Sequence, residues 1–256
     1  MITTQADLLD LLSTGLWHGG MVFFRVAAMV SLLPAFGERT VPVRVKLVTA
    51  IAFTAIVAPA VRTPEHPESF PAFASSIAVE TLIGAALGMG LRLFVLALHT
   101  AGSIAAQATS LSQILGGAAA EPTPAMGYIL VVSGLALAVV AGLHIRAAEL
   151  MIYSYDLFKP GRIPDPAALA QWGVMRISRM FSLSFTVAAP FVIASLVYNL
   201  TLGAINRAMP QLMVAFVGAP VITFGGLALL LVGAPIILGV WIDALELFLL
   251  DPSGTD

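Results

Sequence analysis

Few side chains in this sequence could do chemistry, and those that could stand alone. Arg25, Glu80, Arg92 and Arg207 each sit within or beside apolar runs. Charged groups in such surroundings are expensive unless they are paired or reach water, and they mark ion pairs, assembly contacts or transport paths. For Arg25, close to the middle of the apolar residues 15–36, insertion scales put that cost at about 2.5–3.5 kcal/mol. A structural ion pair and a direct functional role both remain open for it. His144 has Arg146 and Glu149 nearby, but no second histidine or carboxylate stands at metal-ligand spacing. It reads as a packing or interface residue. The chain has no cysteine, so disulfides and thiolate metal sites are excluded. No zinc-protease helix motif, nucleophile elbow or phosphate-binding loop occurs, and residues 84–93 do not complete a dinucleotide fingerprint. With no charges paired as acid and base, the residues call for no catalysis and no cofactor.

The elements that must hold these charges are apolar helices. Of 256 residues, 59% are hydrophobic and 10% charged. A soluble domain carries about 25% charged residues, so the deficit and the strongly positive mean hydropathy indicate an all-α protein of the membrane or of a membrane-embedded assembly. A net charge of −2 is too small to argue for a nucleic-acid partner, and none is expected. The first fourteen residues hold Asp7 and Asp10 and no cation, unlike a secretory signal peptide. Residues 15–36 are expected to form a first helix, residues 37–46 a cationic turn, residues 47–61 a shorter second helix, and the proline-rich residues 62–71 a loop.

Residues 73–98 read as a third helix on which Glu80, Gly84, Gly88 and Arg92 recur at four-residue steps. Such steps make one slowly drifting stripe. The glycines suit close approach of another backbone. Glu80 and Arg92 lie about 18 Å apart along the axis, so each requires a different partner. From residue 100 to 127 the character changes. Gln107, Gln113 and several hydroxyls mix with small residues, and Gly116, Gly117, Pro122 and Pro124 break the pattern. The stretch is expected to be irregular. It is either a surface loop or, since irregular backbone at membrane depth must be buried or line a cavity, a loop lining or plugging a pore.

Residues 126–145 read as an apolar helix, residues 153–172 as the longest hydrophilic piece, and residues 167–179 as an amphipathic run. Residues 188–226 read as two apolar helices meeting at a polar turn around Arg207, Pro210 and Gln211. The 35 residues 208–242 carry no charge. One span needs about 20 residues, and two spans with a turn need over about 40. With Pro220 and Pro235 inside it, this run is expected to bend or break. Alternating six segments across a bilayer would put residues 37–46 and 152–180 on opposite sides, although both are cation-rich and belong on the cytoplasmic side. A carrier should show two halves with matching broken helices, and no internal repeat is evident. A small-solute transporter and an intramembrane enzyme are the distant alternatives.

The order and spacing of many short features identify a family. They include Arg25 with Pro34; the run Gly37-Glu38-Arg39-Thr40-Val41-Pro42; Glu80-Thr81-Leu82-Ile83-Gly84 with Gly88; and Ala101-Gly102-Ser103-Ile104 with Gln107. Further along stand Gly142-Leu143-His144, Ser154-Tyr155, Pro160-Gly161, Ala189-Pro190, Asn199, Leu202-Gly203, Arg207, Pro210-Gln211 and Gly218-Ala219-Pro220. Nearly the whole chain resembles the FliR family of the flagellar type III export gate, whose injectisome relative is SctT. Two positions depart from the family pattern: Leu212, Met213 and Val214 where an asparagine often follows Pro-Gln, and Glu121-Pro122 in place of aspartate-proline.

The resemblance implies a FliP-like part over about residues 1–175 and a FliQ-like hairpin over about 176–250, packed in a larger helical assembly. It implies FliP and FliQ as partners, FlhB and FlhA as neighbours, unfolded export substrates in transit, and a place in the bacterial inner membrane within the basal body, largely at or above the membrane plane. By position, residues 106–126 match the loop that plugs the closed gate, with Gln107, Leu111, Gln113, Ile114, Leu115, Gly116, Gly117, Pro122 and Met126 in it. Arg25, Glu80, Arg92, His144, Asn199, Arg207, Pro210 and Gln211 are implied as buried-charge or assembly residues, and Gly84 and Gly88 as close-packing positions.

Overall fold

The computed structural model describes the backbone of residues 5–62, 69–109, 125–209 and 214–254, and their side chains except those of 5–12, 109, 125 and 214–220. Every regular element among them is helical. In order these are α1 (Gln5–Leu32), α2 (Val43–Val57) continued by a 3-10 turn (Ala58–Ala60), α3 (Phe70–Thr109), α4 (Ala125–Val140), α5 (Leu143–Leu157), α6 (Pro166–Ala208) and α7 (Val214–Leu250). Five helical stretches are long and apolar enough to cross a membrane, or six if α4 and α5 count as one bent span.

Local chemistry explains most boundaries. Pro34 cannot extend α1, and the Gly37 N–H closes back on the Leu33 carbonyl at 2.7 Å. Prolines open α2 and α6, at Pro42 and Pro166, where a missing N–H costs nothing. The Asp165 carboxylate accepts the Ala167 N–H at 3.2 Å and caps α6.

Four boundaries differ from those expected. The third helix does not end near residue 98; α3 runs through the polar change to Thr109. The segment 126–145 is broken: Gly142 adopts φ 86, a left-handed conformation that suits glycine, and α4 and α5 meet at a bend of 73°. The amphipathic run 167–179 is only the beginning of α6, a helix of 43 residues that continues through Pro190. Pro235 does not break the part of the uncharged run from residue 214 onward, because Val214–Leu250 is one helix of 37 residues, while the run's first residue, Ala208, closes α6. Proline inside an apolar helix is tolerated when packing and nearby groups compensate the lost hydrogen bond.

The chain forms two compact units. One comprises Met1–Arg92, Val139–Arg176 and Leu247–Asp256; the other comprises Leu93–Ala138 and Ile177–Glu246. In the first, Val22, Val26 and Met29 of α1, Leu33 just after it, and Ile83, Leu87 and Leu91 of α3 are buried. In the second, Val95 and Leu98 of α3, Leu130 of α4, Phe191 of α6 and Trp241 of α7 are buried. There the Trp241 indole N–H donates to the Phe94 carbonyl at 2.9 Å.

Candidate functional site

In the first unit the stripe on α3 faces α1 and the turn that follows it. A Cβ built on Gly84 would overlap the Arg25 carbonyl oxygen, and one on Gly88 would stand 3.0 Å from Met29 Cα. The two backbones are therefore nearly in contact, which only glycine permits. This approach brings the Glu80 carboxylate to Arg25. The Arg25 Nε donates to Glu80 Oε2 at 2.7 Å, and the two residues are 1% and 0% exposed. One Nη1 group of Arg25 reaches Ser154 twice, its carbonyl at 3.0 Å and its hydroxyl at 3.2 Å. The other Nη2 group donates to the Phe158 carbonyl at 3.2 Å, and the guanidinium carbon lies 3.8 Å from the centre of the Tyr155 ring. The second oxygen of Glu80 accepts the Gly161 N–H at 3.0 Å, and Gly161 holds φ 68.

This cluster ties α1, α3, α5 and the loop after α5 together. Desolvating two charges costs several kcal/mol each, and the attraction offsets that cost only when the remaining lone pairs and protons are satisfied. Here nearly all of them are. The arrangement holds elements in place. It offers no acid–base couple, because both charged groups are engaged in holding backbone.

At the other end of the stripe Arg92 bonds Glu38 at 2.5 Å, with both side chains about one-fifth exposed. Lys46 reaches back from α2 to the Gly37 carbonyl at 2.9 Å. The turn between α1 and α2 is thus pinned by one cation from each neighbouring helix. An apolar cleft of about 430 Å³ opens beside α3 and the start of α6, lined by Ile83, Leu87, Phe158, Leu169 and Trp172. Its polar groups are already used locally: Asp165 caps α6, and Ser253 bonds Asp251.

In the second unit the end of α3 is clamped. The Ser195 hydroxyl of α6 donates to the Ala108 carbonyl at 2.5 Å and accepts from the Asn199 amide at 3.2 Å. Gly102 of α3 and Gly127 of α4 meet so closely that a Cβ on Gly102 would overlap Gly127 Cα.

Among the residues expected to form a plug loop, Gln107 is the exposed last-but-two residue of α3 and Met126 is buried in the first turn of α4. Both ends of that stretch are therefore helical. Leu111, Gln113, Ile114, Leu115, Gly116, Gly117 and Pro122 lie outside the described residues, as do Pro210 and Gln211. His144 is exposed at the start of α5, where Arg146 and Glu149 pair at 3.1 Å. Arg207 is exposed in the last turn of α6, a favourable place for a cation. Among the described residues no group of histidines and carboxylates could hold a metal ion. Sequence reasoning did not single out Ser154, Tyr155, Gly161, Ser195 or Glu38 for these contacts. Glu38, Ser154, Tyr155 and Gly161 stand within the short features that carry the family resemblance, whereas nothing in the sequence marks Ser195.

Comparison with known proteins places the chain among export components. Residues 16–248 match the family model described as bacterial export proteins, family 1. The flagellar biosynthetic protein FliR of Caulobacter vibrioides is 34% identical over 230 residues, covering 87% of this chain and 90% of that protein. That of Escherichia coli is 31% identical over 220 residues, covering 83% and 82%. That of Bacillus subtilis is 24% identical over 205 residues, covering 78% and 79%.

Proposed function

The chain belongs to the FliR family of bacterial export proteins, and from that premise we propose that it is a structural, pore-forming subunit of the flagellar type III protein export gate. The family is a non-enzymatic component of flagellar protein export, embedded in the membrane. In our reading this member assembles with FliP- and FliQ-like subunits beside FlhB and FlhA in the bacterial inner membrane, within the flagellar basal body. Unfolded flagellar proteins pass through the assembly, and residues 106–126 plug it when closed. No nucleotide-binding motif occurs in the sequence, so this reading takes its energy from elsewhere in the apparatus. The curated relatives named above are all flagellar, which favours this system over the injectisome.

The observation that carries the reading is a family match spanning nearly the whole chain, with relatives of similar length. The surface supports it. Phe224, Leu231, Val232 and Ile236 of α7 are each more than 70% exposed, and such contiguous apolar faces require lipid or partner helices. The test is native mass spectrometry of the chain expressed with and without its FliP- and FliQ-like neighbours. Incorporation into one larger heteromeric complex is expected. A well-behaved monomer or homodimer that ignores those neighbours would overturn the reading and return attention to solute transport.

A further inference from the structure

The part of α3 in the second unit has one polar face. Between Leu93 and Ala108 the polar residues are His99, Thr100, Ser103 and Gln107. At 3.6 residues per turn these four fall within an arc of about 100°. His99 and Gln107 are exposed and Thr100 and Ser103 half-buried, while Val95, Ala97, Leu98, Ala101 and Ala105 on the other side are buried. Leu96, 38% exposed, is the one apolar member of the arc.

The surroundings make this face unusual. Elsewhere in the same unit the exposed side chains include Ile129, Val197 and Leu231, which suit hydrocarbon or a dry interface. A polar stripe on an otherwise apolar helix must meet water or polar groups. The groups here are an imidazole, two hydroxyls and a carboxamide. They offer hydrogen bonds of both senses without a permanent charge. That chemistry keeps a wall wet without holding ions or charged segments, which suits a passage and not a binding site. The same spacing recurs on α6 in Ser178, Arg179, Ser182 and Thr186, but that stripe contains a fixed cation and gives way to the exposed Ile193 and Val197.

We infer that the face of α3 carrying His99, Ser103 and Gln107 lines the water-filled passage of the assembled gate. The inference rests on the proposed function and names the wall that function uses. It is testable cleanly because the chain has no cysteine of its own. Single variants His99→Cys, Ser103→Cys, Gln107→Cys and Leu231→Cys are co-expressed with the FliP- and FliQ-like neighbours and treated with a charged, membrane-impermeant maleimide. Only a hydrated thiol ionises readily enough to react fast. The three cysteines on α3 should therefore react at least about tenfold faster than the one at position 231. Native mass spectrometry of each labelled complex checks that it is intact, and Thr100→Cys replaces any arc variant that fails to assemble. An intact complex in which the arc cysteines react no faster than Leu231→Cys overturns the inference and leaves the gate reading standing. Fast reaction at Ser182→Cys with none on α3 also overturns it, since the passage would then run along α6. If the unsubstituted chain never enters a complex, the gate reading fails and the inference falls with it.

Discussion

Single side chains in the first unit differ in worth because they differ in burial. The Arg25–Glu80 pair is closed off from solvent, whereas Arg92–Glu38 is about one-fifth exposed. Removing one member of a fully buried pair strands the other charge and costs roughly 3–5 kcal/mol. For the partly exposed pair the loss is about 1 kcal/mol, because water and salt screen it. Glu80→Gln should therefore lower the melting temperature of the detergent-solubilised protein several-fold more than Glu38→Gln. The double variant Arg25→Met with Glu80→Leu should recover part of that loss, since no charge is then left unpaired. Equal shifts for Glu80→Gln and Glu38→Gln in a thermal melt would refute the ranking. Losing Glu80 should also lower recovery of the assembled complex, because Gly161 and the loop after α5 lose their anchor on α3.

Elements meet through glycine in two physically distinct ways. At Gly84 the demand is steric: a Cβ would collide with the Arg25 backbone, and neither helix can yield without disturbing the ion pair beside it. At Gly142 there is room, with only Ile145 Cδ1 at 3.9 Å, but φ 86 is a conformation that side-chain-bearing residues resist. Gly142→Ala should cost about 1–2 kcal/mol from backbone strain. Gly84→Ala should cost more, roughly 1–3 kcal/mol of overpacking together with loosening of Arg25. Urea titration of the two variants measures the order, and Gly142→Ala being the worse would contradict it. Deleting residues 111–117 should leave assembly intact, since the glycine contact and the Ser195 clamp that fix the flanking helices are untouched. The assembled gate should then leak small ions, read as dye or ion flux in vesicles. Lost assembly without leakage would mark the segment as packing.

For the molecule in its membrane, the spacing of the cationic loops is the informative quantity. The turn after α1, with Arg39 and Arg44 exposed, docks on α3 at Arg92. The loop after α5, with Lys159 and Arg162 exposed, docks at Glu80. Twelve helical residues separate the two levels, about 18 Å, and a hydrocarbon core is about 30 Å thick. The two loops cannot occupy opposite faces of a bilayer with α3 spanning between them. They belong on one side, as their shared cationic character requires. Cysteines at Thr40 and Arg162 should both be labelled by an impermeant maleimide from the same side of sealed vesicles. Labelling from opposite sides would mean that α3 crosses the bilayer between residues 80 and 92.

What the chain determines without a fold is its class and its costs. Composition alone makes it a helical membrane protein, single charges in apolar runs require partners, and the 18 Å between Glu80 and Arg92 rules out their pairing with each other. The four-residue recurrence of Glu80, Gly84, Gly88 and Arg92 also predicts a shared face, because helical period is a local property. The partners could only come from tertiary structure. Glu38 and Ser154 lie 54 and 129 positions from the cations they bind, and no local pattern encodes a contact at that distance. Continuity was decided there as well. Proline and polar residues lower helix propensity by amounts that packing overrides, so α3 extends to Thr109 and α7 passes through Pro235. At Gly142, by contrast, a locally allowed left-handed turn divides a segment whose composition reads as one.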